Sequence, residues 1–561
     1  MADLLLTPIT ATVPNGVNDV GGPNGVFASN ITAIDDIRHY YATYFQDDWK
    51  LTPKLTLNLG LRWEFFGQIR EKYGADAVLN PGAPNGAGAE YVINAASKNV
   101  ALSPSFTSLL AKDGIQLAYS SVPGLTNTPL TNFGPRTGLA WQLSPKMVTR
   151  FGYGVFYGGF QNLGGAPDPG YNYPFAVNLS FFRPNVTSAL IFPGGQNATL
   201  ETSLLNANPN PASPTFNAEG LGLVAFQNPW KTGYTQEWNA AFEYQFTPNQ
   251  SITLQYIGNT SRHLLNGDKR NVTTEILPPG TACCKSYIPF PDFGYNSDYV
   301  AANGDAHYHA FQATFERRFS EGLQALVNYT RSECMTDARN ILNSFGDNIF
   351  ARAPLLPGFG LKADYRHCGS DVPNIFHASG IWGVPYGKGR RFANNLGGPL
   401  NQILGGWDVV GIFTAQNGFP FSVGCDPGTT ANFNCYANLV PGMGPYANQG
   451  PHGIVHFMNI AAFAEPPAAT AIGQTDYSPL GSKPDLFHGP TFSELDFSLL
   501  KQFQTTERTH LEFRGEFFNL LNHPSFNNPS SLDIKNPSNF GVITGTRGIA
   551  RQVELGLKFY Y

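Results

Sequence analysis

Lys54 to Phe65 reads K-L-T-L-N-L-G-L-R-W-E-F, and every odd-numbered residue in it (Leu55, Leu57, Leu59, Leu61, Trp63, Phe65) is apolar while every even one is polar or glycine. A strand sends successive side chains to opposite faces. Twelve residues of such alternation describe a ribbon about 40 Å long. Tilted by about 40°, that ribbon crosses the apolar layer of a bilayer. A solvated sheet face in a globular protein would alternate in the same way, so the rest of the chain must decide between the two.

The chain has 561 residues, of which 13% are charged and 13% aromatic, with 60 Gly and 43 Pro. A globular domain carries about 25% charged residues, and this Gly and Pro content suits many strands joined by irregular loops. No stretch offers the ~20 consecutive apolar residues that a membrane-crossing helix needs, whereas a barrel dilutes its apolar residues by alternation. The net charge of -5 is mild and no basic stripe is interleaved with aromatics, so nucleic acid is not expected as a partner. Met1 to Val13 has Asp3, no basic start and only a three-leucine apolar run. It does not read as a secretory signal, so the chain is expected either to stay in the cytoplasm or to be the later part of a longer precursor.

The same alternation predicts further hairpins. Arg38 to Lys50 turns into Lys54 to Phe65, Phe133 to Leu143 into Lys146 to Tyr157, and Gly233 to Phe246 into Gln250 to Gly258. His307 to Phe319 turns into Leu323 to Arg331, Asn374 to Val384 precedes Gly405 to Gln416, Ser493 to Phe503 turns into Thr509 to Asn519, and Arg551 to Tyr561 is the last. Turns within hairpins are short, while the six connections between them are long and rich in Gly, Pro, Asn and Ser. Six such loops are foreign to a compact soluble domain, but short turns on one side and long loops on the other describe an outer-membrane barrel. The expected fold is all-β, an antiparallel transmembrane barrel wall of about 13 to 14 strands. Residues 1–37 are expected to be an irregular start, with at most one weak strand or loop, and 38–561 the barrel portion. Thirteen is odd where bacterial barrels are even, which favours further strands upstream.

Tyr44 to Lys50 (Y-F-Q-D-D-W-K), followed by Leu51 to Glu64 (L-T-P-K-L-T-L-N-L-G-L-R-W-E), resembles the F-x-Q-D-D-W-K hairpin of TonB-dependent outer-membrane receptors, with Trp63 where Tyr is usual. Phe513 to Asn522 resembles that family's penultimate strand. Val553 to Tyr561, with Leu555, Leu557, Phe559 and Tyr561 alternating, resembles its C-terminal assembly signal. Tyr386 to Phe392 and Gly405-Gly406-Trp407 are similar to the subgroup carrying an N-terminal carboxypeptidase-regulatory-like domain. The resemblance implies a barrel of about 22 strands, of which this chain would supply the C-terminal part, and energised uptake of a ligand by the full-length relative. It also implies a signal peptide, a TonB-contacting segment and a lumenal plug; the signal, the plug and the first strands of that barrel are expected to have no counterpart here. The partners it implies are outer-membrane lipid, barrel-assembly machinery, a small-molecule or oligosaccharide ligand, and the TonB complex if a plug is supplied by further sequence. A non-transporting adhesin or scaffold barrel is the alternative.

Arg62, Glu64, Glu237, Glu243, Glu512, Arg514 and Glu516 fall on the polar faces of their strands and are expected to line the lumen as a network of mutually satisfied charges. All six cysteines lie in the long loops or at their roots. In an oxidising compartment the pairs Cys334 with Cys368 and Cys425 with Cys435 are candidate disulfides; unpaired thiols remain the other reading, and Cys283 and Cys284 have no assigned partner. His307 and His309 share a strand face but no third ligand completes a metal set at suitable spacing, so they read as a rim pair. Gly387-Lys388-Gly389-Arg390 lacks the phosphate-loop pattern and reads as a basic turn. No nucleophile, zinc-protease or paired-cysteine motif is present, so no catalytic residue, cofactor or metal is expected, and the ligand is unassigned.

Overall fold

The computed structural model describes residues 34–158, 169–182, 216–281, 285–294, 297–338, 364–426, 435–447, 456–476, 478–506 and 508–561, together with 11–12, 18–19, 25–29 and Ser213. Its framework is thirteen long strands: β1 (Tyr40–Thr52), β2 (Leu55–Phe66), β3 (Phe133–Ser144), β4 (Met147–Gly158), β5 (Gly233–Thr247), β6 (Gln250–Arg270), β7 (Ser297–Ser320), β8 (Leu323–Thr336), β9 (Asn374–Gly383), β10 (Trp407–Gln416), β11 (Phe492–Gln504), β12 (His510–Phe518) and β13 (Gln552–Tyr560). Each pairs antiparallel with the next in chain order, so the sheet is one continuous meander. The alternating stretch Leu55 to Phe65 lies in β2, held between β1 (Leu57 opposite Trp49) and β3 (Leu57 opposite Leu139). Among the described residues, the ladders of β1 and β13 run to β2 and β12.

Tight turns close one end of the sheet. Between β7 and β8, Glu321 and Gly322 both have positive φ, 51° and 80°, the two-residue geometry whose twist matches that of a hairpin. The β9 to β10 connection is longer and carries a short helix, α2 (Gly398–Leu404).

Registers turn the alternation of single strands into continuous apolar rows. Leu55, Trp141, Thr149, Phe242, Leu254, Ala313, Tyr329 and Phe376 succeed one another across β2 to β9. Leu323, Trp382, Val409, Leu499, Gly515 and Leu555 do so across β8 to β13. These rows hold large apolar side chains at the surface: Trp141 and Trp382 are each 46% exposed and Leu555 72%. An apolar exterior over a polar interior inverts the soluble arrangement and suits lipid outside and water inside. Lys501 stands on this apolar face near the tight-turn end. Its Nζ donates to the Gly405 carbonyl and lies 5.0 Å from the ring centres of both Trp407 and Phe503, where a snorkelling cation belongs.

Two expectations need correction. β6 and β7 continue to Arg270 and from Ser297, well past the predicted limits at Gly258 and His307. Beyond Ser261 the register bulges, with His263 at positive φ, and no lipid face remains to enforce alternation, so the periodicity stops before the hairpin does. Residues 1–37 are also not wholly irregular. Gly25–Ser29 pairs with Asn178–Phe182, Ala11–Thr12 with Asn18–Asp19, and Asp36–Ile37 with Arg70–Glu71.

The hydrophobic core of the described residues lies in the long connections. Ala77, Leu79, Tyr91, Ile93, Phe106, Leu110, Tyr173, Leu223 and Phe290 form one cluster drawn from three loops. Within it, α1 (Pro104–Lys112) begins at Ser103, whose Oγ accepts from the Phe106 N–H at 3.1 Å. A second cluster, including Phe421, Val423, Met458, Phe463, Phe487 and Phe540, joins the last two loops. The long connections are therefore packed cap structures, with cores that neither period-2 nor helical patterning announces.

Candidate functional site

The predicted polar wall is carried by β2, β5 and β12, so the sheet distributes its seven residues into separate groups. On β2, Arg62 Nε lies 3.0 Å from Glu64 Oε1, and the Tyr40 hydroxyl donates to Glu64 at 2.6 Å while accepting from Arg62 at 2.8 Å. On β5, Glu243 accepts from Arg150 of β4 at 2.9 Å. On β12, Arg514 donates to Glu512 at 2.6 Å, and Glu512 stands opposite Lys558 of β13 and Gln502 of β11. Glu516 is opposite Glu554 and Ser498, and Glu237 opposite Asn259 and Gly154. Strand register supplies Arg150 and Lys558 as counter-charges. Leu555, Leu557 and Phe559 lie along β13, paired there with β12, and, with Tyr561, are exposed.

Above the sheet, the structure joins Cys334 to Cys368 and Cys425 to Cys435, with Cα separations of 5.4 and 5.3 Å; Cys283 and Cys284 lie outside the described residues. The first bridge anchors a cluster that the sequence did not reveal. Asp371 is buried; its Oδ1 accepts the Cys334 N–H at 2.8 Å. Its Oδ2 lies 3.1 Å from His367 Nδ1 and 3.5 Å from His488 Nε2. Burial alone would raise the Asp371 carboxyl, but the two imidazoles and the Cys334 amide outweigh it and hold the group at about 2; His367 is raised chiefly by its contact with Asp371. Beside them, the buried Arg366 guanidinium lies 3.2 Å from Asp485. His367 and Asp371 are four residues apart, but His488 arrives from the next long loop, a union no local spacing encodes.

The rim histidines take different roles. His307 Nδ1 is 3.0 Å from Thr260 Oγ1 and His309 Nδ1 is 2.8 Å from the Tyr256 hydroxyl. His309 also lines, with Glu333, His367 and Asp371, a cavity of about 310 Å³.

A meander of long strands, apolar on one face and polar on the other, with tight turns at one end and packed loops at the other, defines a β-barrel wall of an outer membrane. The chain belongs to the outer membrane beta barrel domain family, whose model matches residues 17–554. Its place is the outer membrane.

Among solved structures, it is similar to the siderophore receptor PirA from Acinetobacter baumannii, at 10% identity and a TM-score of 0.39 over 93% of this chain and 45% of that one. It is also similar to the ferric-catecholate import receptor Fiu from Escherichia coli K12, at 9% identity and a TM-score of 0.36 over 93% of this chain and 44% of that one. The chain thus spans less than half the length of these receptors. A comparison with curated proteins finds no match.

Proposed function

We propose that the chain forms the ligand-binding wall and outer cap of a receptor that takes up a small molecule or oligosaccharide, with TonB supplying the energy. The observation that carries this reading is the pairing of a polar, counter-charged inner face with long loops that build their own cores. A barrel serving only as a scaffold does not require ordered binding architecture above a polar lumen. Backbone left unpaired in a bilayer is costly, and in this reading further strands complete the wall, as the resemblance to a larger barrel implies. Barrel-assembly machinery would then read the β13 face of Leu555, Leu557, Phe559 and Tyr561.

The test is accumulation, in cells carrying or lacking the gene, of labelled ferric catecholate, ferric hydroxamate and oligosaccharide probes. Accumulation of at least one probe that depends on the gene and is abolished by a proton uncoupler or by loss of TonB is expected. Surface binding that no uncoupler changes would overturn uptake and favour an adhesin.

A further inference from the structure

We propose that His367, Asp371 and His488 bind a divalent transition-metal ion of the zinc class, clamping two outer loops together. His367 Nδ1, Asp371 Oδ2 and His488 Nε2 all lie within 4.8 Å of one another. Two imidazole nitrogens and one carboxylate oxygen are the donor set that borderline cations prefer.

Distances support the assignment. With metal–nitrogen and metal–oxygen bonds of about 2.0 to 2.2 Å, adjacent donors on a tetrahedron stand about 3.3 to 3.6 Å apart. The observed separations from Asp371 Oδ2 are 3.1 and 3.5 Å. Neither contact has hydrogen-bond geometry, and all three atoms are buried without another hydrogen-bond partner. Buried polar atoms gathered in this way are costly unless something binds them together.

The surroundings hold the donors in place before any ion arrives. The other oxygen of Asp371 is fixed by the Cys334 N–H, the Asp371 N–H donates to the Cys368 carbonyl at 2.8 Å, and the Cys334–Cys368 bridge adjoins His367. His488 is positioned by the pairing of Phe487–His488 with Pro420–Phe421 and by the Tyr446 hydroxyl, which accepts its N–H at 3.1 Å. Arg366 and Asp485 dock the same two loops. Outer partners of this kind normally orient metal ligands. Glu333 and His309 share the adjoining cavity, leaving room for a fourth donor from water or a bound molecule. The Cys425, Cys435 and Glu465 grouping is different, because its sulfurs are joined to each other. This inference does not depend on ligand uptake.

Zinc binding to the full protein, purified in detergent and stripped with a chelator, can be followed by competition with a chromophoric zinc indicator and by metal analysis. One zinc per chain is expected, with affinity reduced at least about 100-fold in His488→Ala and Asp371→Asn; cobalt(II) should give a visible absorption that the same variants lose. His488→Gln, which keeps the side-chain volume, and heat-modifiable migration of every variant separate loss of a ligand from loss of fold. Absence of stoichiometric zinc in the folded protein, or zinc retained equally by folded variants, would show an ion-pair cluster only and overturn the proposal.

Discussion

Placing a lysine at Phe151 tests the lipid-facing assignment at its centre. Phe151 is 49% exposed, and its neighbours across β3 and β5 are Leu139 and Ala240, so no carboxylate stands ready to receive a cation. It is four residues into β4, which starts at Met147. At about 3.3 Å per residue and a tilt of about 40°, it sits about 10 Å above the tight-turn end, within an apolar band about 25 Å tall. Phe151→Lys should therefore cost about 2 to 4 kcal/mol, or roughly a factor of 30 to 1000 in the folding equilibrium. Val148→Lys is the control: Val148 lies on the opposite face, directly across from Glu243, and should cost less than about 1 kcal/mol. Leu59 is a poorer probe, because its cross-strand neighbour is Asp47, which would receive a lysine. Urea titration of the protein folded into phospholipid vesicles, read by heat-modifiable migration, measures both. Equal costs, or a larger cost at Val148, would refute the orientation of the sheet.

Three further outcomes are expected. Burial, partly offset by hydrogen bonds from the Glu71 N–H and Asn94, raises the loop carboxyl of Asp76 to about 6, so its stabilising contribution is full below its ordinary value near 3.8 and lost as pH rises through 6. Hydrogen exchange across residues 71–94 should report local opening easier by up to about 3 kcal/mol at pH 8 than at pH 4; Asp76→Asn should flatten that dependence, and an unchanged profile would contradict it. The Cys334–Cys368 bridge closes 34 residues, so replacing both cysteines by serine should remove about 4 kcal/mol of loop-closure stabilisation, seen as rapid protease cleavage of that loop while the strands stay protected. A Cβ on Gly258 would meet the Trp238 indole at 2.5 Å; Gly258→Ala should shift tryptophan emission and cost about 1 to 3 kcal/mol, and an unaltered spectrum would show that the ring does not fill that space.

Sequence by itself determined the wall. Leu55 to Phe65 alternates because lipid on one side and water on the other impose a period of two, and the same rule located all thirteen long strands and the tight turns between them. It lost β6 and β7 beyond Ser261, where the hairpin leaves the lipid and nothing enforces alternation. It could not see the cap, since Leu79, Phe106, Tyr173 and Phe290 belong to different loops and form one core only after the strands have brought those loops together. The same holds for the counter-charges: Glu243 reads as polar from its own strand, but Arg150 becomes its partner through strand register. His367 and His488 meet on Asp371 because two long connections start from neighbouring positions on one sheet, and that proximity is a property of the tertiary structure alone.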